Sequence, residues 1–474
     1  MPQNAERMSR VDTAWLRMDN DVNLMMIVGV WLLTPAVRYE QLCERISDKL
    51  LKYDRFRQKV VQDAMGAQWV LDDDFDIHHH VLRETLHRKK GQSAQAALQA
   101  RCGELATTPL DPAHALWTFH LIEDYEGGSA IIARIHHCIG DGIALISVTL
   151  SITDGGNEPP KRRKKNADDG ENDWLSDAVL KPLTDIAVKA IGMYGNSVTR
   201  SLEVLSNPQA LMGSLEMART GVQVVKDVAA MALMPDDSPT QLKGKPLGKK
   251  RVAWNEPLPL EQVKTIGKGL NCSINDVLLA CVAGAIGQYL RDRGEDPTGK
   301  EIRAMVPVNL RPIEKAWQLG NRFGLAPLVL PIGIENPIER VYAVRRRMNE
   351  LKGSYQPLLA FSVLSVAGLM IKPVQDAILN LFAKKATAVM TNVPGPPVAL
   401  KFCGSTIKQT MFWVPASGNI GVGVSILSYA GGVQFGLITD TKLCPEPQAI
   451  IDRFEPEFEK LLMVSLMLPW GEAA

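Results

Sequence analysis

Two adjacent histidines and an aspartate four residues beyond them, His136, His137 and Asp141, have the spacing in this chain best suited to chemistry. They close the run 131–142, Ile-Ile-Ala-Arg-Ile-His-His-Cys-Ile-Gly-Asp-Gly. The first half of the run is β-branched, the composition of a buried strand. The second half is a polar turn in which Gly140 and Gly142 permit a tight backbone. A sheet fixes such a turn while the turn presents its side chains, which is a frequent setting for catalytic groups. Side chains alternate along an extended backbone, so His136 and His137 point to opposite faces and only one easily faces a given cavity. Imidazole titrates near neutrality and suits general acid–base work. An isolated histidine pair at a strand end is also commonly a hydrogen-bonded core feature, and for the pair alone both readings stand.

A second cluster, His78, His79 and His80 behind the acidic run 72–76, admits a metal site if His78 and His80 share one face of a strand. The favoured reading is an acidic loop entering an edge strand, because every histidine precedes residue 138 and no second ligand cluster exists; no metal is expected. The seven cysteines, at 43, 102, 138, 272, 281, 403 and 444, lack metal-type spacing and read as reduced core residues of a cytoplasmic protein. Cys138 is read as packing rather than as a nucleophile. There is no Gly-x-Ser-x-Gly elbow, and the nearest run, 423–427, lacks the second glycine. Walker, Gly-x-Gly-x-x-Gly and His-Glu-x-x-His patterns are also missing.

The elements that must position the histidines follow from pattern. A Ser9/Asp12 cap signal opens a short helix, and a strand follows over 25–33. Residues 39–51 read as an amphipathic helix, and 56–61 with 68–71 as a hairpin. A helix over 93–106 precedes a strand through Trp117, which turns at 124–128 into the strand that ends at the histidines. Residues 143–150 read as a buried helix. Residues 154–173 then change composition sharply to a charged linker; its 161–165 Lys/Arg run suits a solvated loop better than a phospholipid contact. A mostly helical stretch follows to residue 233, and from residue 251 a second α/β unit runs to a closing helix over 445–467.

At 474 residues the chain exceeds one ordinary core, so two domains are expected. The boundaries drawn are 1–153, a linker 154–173, a helical connection 174–245, and 246–474. Fifty-three Lys+Arg against 52 Asp+Glu leave a net charge of +1, which argues against a nucleic-acid partner held by global positive charge. The N-terminal residues lack the apolar core of a signal peptide, and the apolar stretches 24–37 and 358–371 are short for a bilayer span. A cytoplasmic protein, soluble or peripheral, is therefore expected.

The pattern His136-His137-x-x-x-Asp141-Gly142 resembles the signature of the bacterial wax ester synthase/diacylglycerol acyltransferase family. That family lies within the CoA-dependent acyltransferase superfamily of chloramphenicol acetyltransferase and peptide-synthetase condensation domains. Further similar segments are Ala115-Leu116-Trp117 (with Ala where the family has Pro), Asn275-Asp276, Val306-Pro-Val-Asn309-Leu-Arg and Asn392-Val-Pro-Gly395. The resemblance covers nearly the whole chain. It implies an α/β fold, mixed sheets with flanking helices, in two chloramphenicol acetyltransferase-like domains with an active-site tunnel between them. It also implies an O-acyltransferase moving a long-chain acyl group from acyl-CoA to a fatty alcohol or diacylglycerol, giving wax ester or triacylglycerol without a cofactor. His137 would be the general base, His136 its support, and Asp141 the residue holding the turn through an ion pair with an arginine. Gly142 would provide backbone space, and Asn275 would polarise the intermediate or position the alcohol, although a helix cap also explains Asn275-Asp276. Asp19 (where the family usually has Glu), Gly142, Asn309 and Asn392 are the implied substrate contacts. With no nucleophile elbow, direct transfer is favoured over an acyl-enzyme. Two alternatives stay open: a condensation-type enzyme using carrier-bound acyl groups, and a non-catalytic lipid-droplet protein.

Overall fold

The computed structural model describes residues 5–63, 66–156, 236–310, 319–352 and 384–467. The expectations for most of the charged linker, the helical connection up to residue 235, and apolar helices within 357–382 lie outside these residues. The first half contributes strands β1 (Glu6–Arg7), β2 (Met26–Thr34), β3 (Gln58–Asp63), β4 (Gly66–Leu71), β5 (Val81–Glu84), β6 (Trp117–Tyr125) and β7 (Gly128–His136). Its helices are α1 (Arg10–Arg17), α2 (Tyr39–Lys49), α3 (Ile77–His80), α4 (Ala94–Leu105) and α5 (Gly142–Ile152). The second half contributes β8 (Lys250–Trp254), β9 (Leu258–Pro259), β10 (Ile302–Asn309), β11 (Phe323–Leu330), β12 (Ala388–Pro394), β13 (Lys401–Phe402), β14 (Ser405–Trp413), β15 (Val422–Tyr429) and β16 (Gly432–Asp440). Its helices are α6 (Leu260–Gly269), α7 (Ile274–Asp292), α8 (Pro337–Lys352) and α9 (Pro447–Met467).

The strands form two large mixed sheets and a small one. The first large sheet runs β13-β14-β2-β7-β6-β5, the second β11-β10-β12-β15-β16-β8 with β9 on β16, and the small sheet is β1-β4-β3. β6 and β7 meet in a two-residue hairpin whose Glu126 and Gly127 both have positive φ, the backbone that matches the twist of paired strands. Residues 405–413, which the drawn boundaries place in the second unit and for which no strand was foreseen, form β14, and it pairs antiparallel with β2, from Thr406 opposite Thr34 to Trp413 opposite Val28. β2 is flanked by β7 on one side only, and a strand from the second half covers the remaining edge. The two halves are therefore stitched through one continuous sheet.

α7, capped by Ser273 in a reciprocal box with Asp276, is buried along nearly its whole length and forms the centre of the second core. Among the described residues no single helix is long and apolar enough to cross a membrane, and the α6–α7 pair that passes together bends by 99°. The predicted strand at 78–80 is instead the helical turn α3, because Asp76 accepts the His78 N–H and starts a turn. His78 and His80 consequently do not share a strand face. His80 bonds through Nδ1 to the Trp117 carbonyl at 2.8 Å and stacks on that indole, while His78 Nδ1 meets the Tyr39 hydroxyl at 2.9 Å. No group of three potential ligands is placed to hold a metal among the described residues. All seven cysteines are unpaired, and Cys138 is fully buried, as packing requires.

Candidate active site

β7 brings the histidine pair to the end of a central strand. Ile131, Ala133 and Ile135 share one face of it, and alternation places His137 on that same side and Arg134 with His136 on the other. The turn is then fixed by backbone bonds: the His137 N–H donates to the Met25 carbonyl at 2.7 Å and the Ile139 N–H to the His136 carbonyl at 3.0 Å. The Cys138 N–H donates to His136 Nδ1 at 3.1 Å, and His136 Nε2 faces the Asp19 carboxylate at 3.3 Å. A ring nitrogen that accepts an amide hydrogen carries none, so a hydrogen lies on Nε2, toward Asp19; burial pushes the ring's pKa down, but Cys138 and the Asp19 carboxylate outweigh it and raise it above the ordinary value. The other Asp19 oxygen accepts the Met25 N–H, so this carboxylate is engaged within the chain at both oxygens.

Asp141 is the cap of α5. Its Oδ1 accepts the Ala144 N–H at 2.9 Å, and its Oδ2 accepts the backbone N–H of Arg322 at 3.0 Å. Arg322 thus reaches this aspartate through its main chain. Arg322 belongs to a segment of the second half that crosses the histidine turn. Gly320, at φ +103°, forms a short parallel bridge with Gly140: its N–H donates to the Ile139 carbonyl at 3.1 Å and its carbonyl accepts the Asp141 N–H at 3.3 Å. Next to it, Asn321 Nδ2 donates to the His137 carbonyl and to Asp12 Oδ1, both at 2.7 Å, and its backbone N–H donates to the same Asp12 oxygen at 3.0 Å. Asp12 is buried, and burial raises its pKa above the ordinary carboxylate value while the Asn321 bonds pull it down.

The His137 ring is only 4% exposed. It stacks on Trp15 of α1, with centroids 4.2 Å apart and planes at 13°, and Phe323 closes in at 5.5 Å. Burial pushes its pKa down from 6.5 to about 4, against the opposing pull of Asp141, its own carbonyl and Asn321. The ring is therefore neutral at physiological pH, the state in which an imidazole can take a proton.

Removing the Asn321 amide leaves the buried Asp12 carboxylate and the His137 carbonyl each short of a donor. Asn321→Ala is accordingly expected to lower unfolding free energy by about 2–4 kcal/mol, read as a shift in the urea midpoint. An unchanged midpoint would show that this crossing does not hold the turn.

Beside the turn lies an elongated apolar cavity. It is bounded by the Ile27–Trp31 face of β2, the matching face of β7, α5 and the ends of β12 and β15. Gly142, at the start of α5, lines it; His137 does not. A Cβ added at Gly142 meets nothing within 4 Å, whereas one at Gly140 meets the Leu319 side chain at 3.3 Å. The close backbone approach in this turn is at Gly140, and the space implied at Gly142 is the cavity itself. Asn275 and Asn392 come together, Asn392 Nδ2 donating to Asn275 Oδ1 at 2.9 Å. Asn309 ends β10 directly opposite Phe323. The cap of α7 is Ser273, so capping does not account for Asn275. Trp15, Asp12, Asn321 and Phe323 were not singled out as site residues from sequence. The run Gly320-Asn-Arg-Phe-Gly324 is the visible signal for Asn321 and Phe323, and the Ser9/Asp12 cap signal is that for Asp12.

The architecture, two α/β halves joined by a shared sheet with a histidine turn at their junction, is a fold found in solved acyltransferase and condensation-domain structures. It superimposes on the wax ester synthase/diacylglycerol acyltransferase from Marinobacter aquaeolei VT8 with a TM-score of 0.65 at 19% identity, over 98% of this chain and 100% of that one. It matches the first condensation domain of the calcium-dependent antibiotic synthetase at 0.58 and 12% identity, over 99% and 98%. Residues 8–278 match the wax ester synthase/diacylglycerol acyltransferase catalytic domain and residues 319–462 the C-terminal domain of the same family. The chain belongs to the wax ester synthase/diacylglycerol acyltransferase family. Similar curated relatives are a putative diacylglycerol O-acyltransferase of Mycobacterium bovis and a probable one of Mycobacterium tuberculosis. Each is 25% identical over 97% of this chain and 96% of its own length.

Proposed function

We propose that this protein is an acyl-CoA-dependent O-acyltransferase that moves a long-chain acyl group to a fatty alcohol or a diacylglycerol. The observation that carries this reading is the pairing of a neutral, buried His137 with an elongated apolar cavity that starts at Gly142 of the same turn. His137 accepts the hydroxyl proton as the acceptor oxygen attacks the thioester carbonyl. The C–O bond forms, the C–S bond breaks, and the proton passes to the departing thiolate. His136, fixed between the Cys138 amide and Asp19, and Asp141, fixed at the α5 cap, hold the turn in register. Asn275, oriented by Asn392, is the donor assigned to the developing oxyanion or to the alcohol. Asp19, Gly142, Asn309 and Asn392 are assigned to the substrate's surroundings, and no cofactor is required. Both acceptors are poorly soluble, which favours a cytoplasmic enzyme working against a membrane or lipid-droplet surface.

The test is thiol release from palmitoyl-CoA with hexadecanol or diacylglycerol, with products resolved by chromatography. Ester formation coupled to thiol release supports the reading, and thiol release no faster than hydrolysis with either acceptor overturns it. Transfer only from acyl groups loaded on a carrier protein would move the protein to the condensation-type alternative.

The pH dependence follows from the depressed His137 pKa. The folded ring stays neutral down to about pH 4, so kcat/KM is expected to keep its base through pH 5 and fall only toward 4. In the unfolded chain the same ring takes up a proton near 6.5, so the stability it contributes is complete above 6.5 and declines as pH falls from 6.5 to about 4. An acid limb in kcat/KM at or above 6.5 would contradict this environment.

A further inference from the structure

One amide from the second half of the chain organises the polar atoms of the histidine turn. Asn321 Nδ2 lies 2.7 Å from the His137 carbonyl and 2.7 Å from Asp12 Oδ1. The carbonyl can only accept, and the Asp12 oxygen already accepts the Asn321 backbone N–H at 3.0 Å. The orientation of the amide is therefore forced. Its NH2 group spends one hydrogen on each partner, and a flipped amide would set oxygen against oxygen twice. The side-chain oxygen, Oδ1, is left over; it is buried and bonds to no donor among the described residues. Asn321 and Asp12 are 4% and 6% exposed, so bulk water is kept from this crossing.

A second atom at the turn lacks a partner. His137 Nδ1 is also buried and bonds to no group among the described residues. Stacking on Trp15 fixes the plane of the ring but not which nitrogen carries the hydrogen. The polar neighbours decide that. The Asn321 side chain and the His137 carbonyl both act on the ring in the sense that favours a ring hydrogen, which is the sign of an acceptor. Nδ1, bonded to the carbon that joins the ring to the chain, is the nitrogen that can reach the residue's own carbonyl, and Oδ1 is the one acceptor that the Asn321 side chain has. Asp141 pulls the same way by its charge and His136 opposes it, while the Asp141 oxygens accept the Ala144 and Arg322 N–H groups. A bare Nδ1 would set its lone pair against two acceptors. An Nδ1 that carries the hydrogen gives Asn321 Oδ1 the donor that it lacks.

We propose that Asn321 is a positioning residue for the transfer reaction: its Oδ1 takes the His137 Nδ1 hydrogen, Nε2 is left as the basic nitrogen, and Asp12 keeps the amide in the orientation that this needs. The proposal rests on the transferase reading above and adds to it which residues prepare the base. Nε2 takes the hydroxyl proton as the C–O bond forms, and the ring becomes an imidazolium whose Nδ1 hydrogen stays on Asn321. The proton on Nε2 then passes to the thiolate as the C–S bond breaks. A hydrogen bond from a charged ring is stronger than one from a neutral ring, so Asn321 favours the transition state over the ground state. Its loss is expected to lower kcat about tenfold with little change in KM.

The first measurement needs no substrate. In protein labelled with 15N-histidine, the His137 ring is assigned by its absence from the His137→Ala spectrum, and its hydrogen is expected on Nδ1 at neutral pH. A hydrogen on Nε2 overturns the proposal. The second measurement compares kcat and KM for palmitoyl-CoA with hexadecanol. Asn321→Ala and Asp12→Leu are each expected to lose about tenfold in kcat with KM within about twofold, and to spread His137 over both tautomers. Asp12→Asn is expected to recover most of the Asp12→Leu loss, because an amide oxygen still accepts from Asn321. Folded variants with wild-type kcat and an unchanged His137 ring overturn the proposal. If Asn321→Ala does not fold, the wild-type ring and the two Asp12 variants decide. A wild-type protein that transfers no acyl group overturns the transferase reading instead, and the ring measurement still tests where the hydrogen lies.

Discussion

His137→Ala is expected to lower kcat/KM for transfer to hexadecanol or diacylglycerol by about 10²–10⁴ while the protein remains folded. The size follows from the role, since the acceptor hydroxyl has a pKa far above neutrality and must lose its proton as it attacks. No other imidazole can substitute: His136, next along the chain, points to the opposite face and is held by the Cys138 amide and Asp19. Folding should survive because the bonds that shape the turn use the His137 main chain, its N–H donating to Met25 and its carbonyl accepting from the Asn321 side-chain amide, and alanine keeps both. The loss of the Trp15 stack leaves a small apolar void, worth about 1–3 kcal/mol. A variant that is folded by circular dichroism and within tenfold of wild-type activity would remove His137 from the chemistry.

The second large effect concerns stability. Arg340 of α8 and Glu457 of α9 form an ion pair inside the second core, 2% and 5% exposed. The guanidinium also donates to the carbonyls of Ala280, Ile334 and Glu335, so one cation ties α7, α8 and α9 together. Gly284 makes the approach possible, because a Cβ there would collide with both partners. Glu457→Ala leaves a guanidinium in a desolvated site with carbonyl partners only. A loss of about 3–5 kcal/mol in unfolding free energy is expected from denaturant titration. Replacing both residues together, Arg340→Met with Glu457→Leu, should recover most of that loss, because the penalty comes from the stranded charge rather than from the missing pair. A single variant as stable as the wild type would show that water reaches the site.

Much of the fold could be read in the chain because its elements carry local signals. The β-branched run into His136, the helix that begins near residue 93, and the buried helix after the histidine turn all carry such signals in the sequence itself. The partners of those elements were not so marked. Residues 405–413 alternate between buried and more open positions like any strand, but nothing in that alternation says that β2, about 380 positions upstream, is the neighbour. The small helix α3 was lost for the opposite reason: a single local bond from Asp76 outweighed the strand character of the residues after it. At the site, the histidines and Asp141 could be read because their spacing lies within one turn. Asp12 and Asn321 could not, since Asp12 resembled an ordinary cap residue while Ser9 does the capping and Asp12 turns inward. Their meaning comes from a crossing between segments 309 residues apart, and only the folded chain brings them together.

The interleaving of β14 into the first sheet has a practical corollary for anyone cutting or recombining this protein. A truncation ending before residue 400 would leave the outer side of β2 with a row of unanswered amides and carbonyls, an invitation to self-association. A hybrid spliced from two homologues at the midpoint would pair the β2 of one parent with the β14 of the other, and across that seam Val28 must meet a mate for Trp413. The natural unit of exchange is the sheet, not the half.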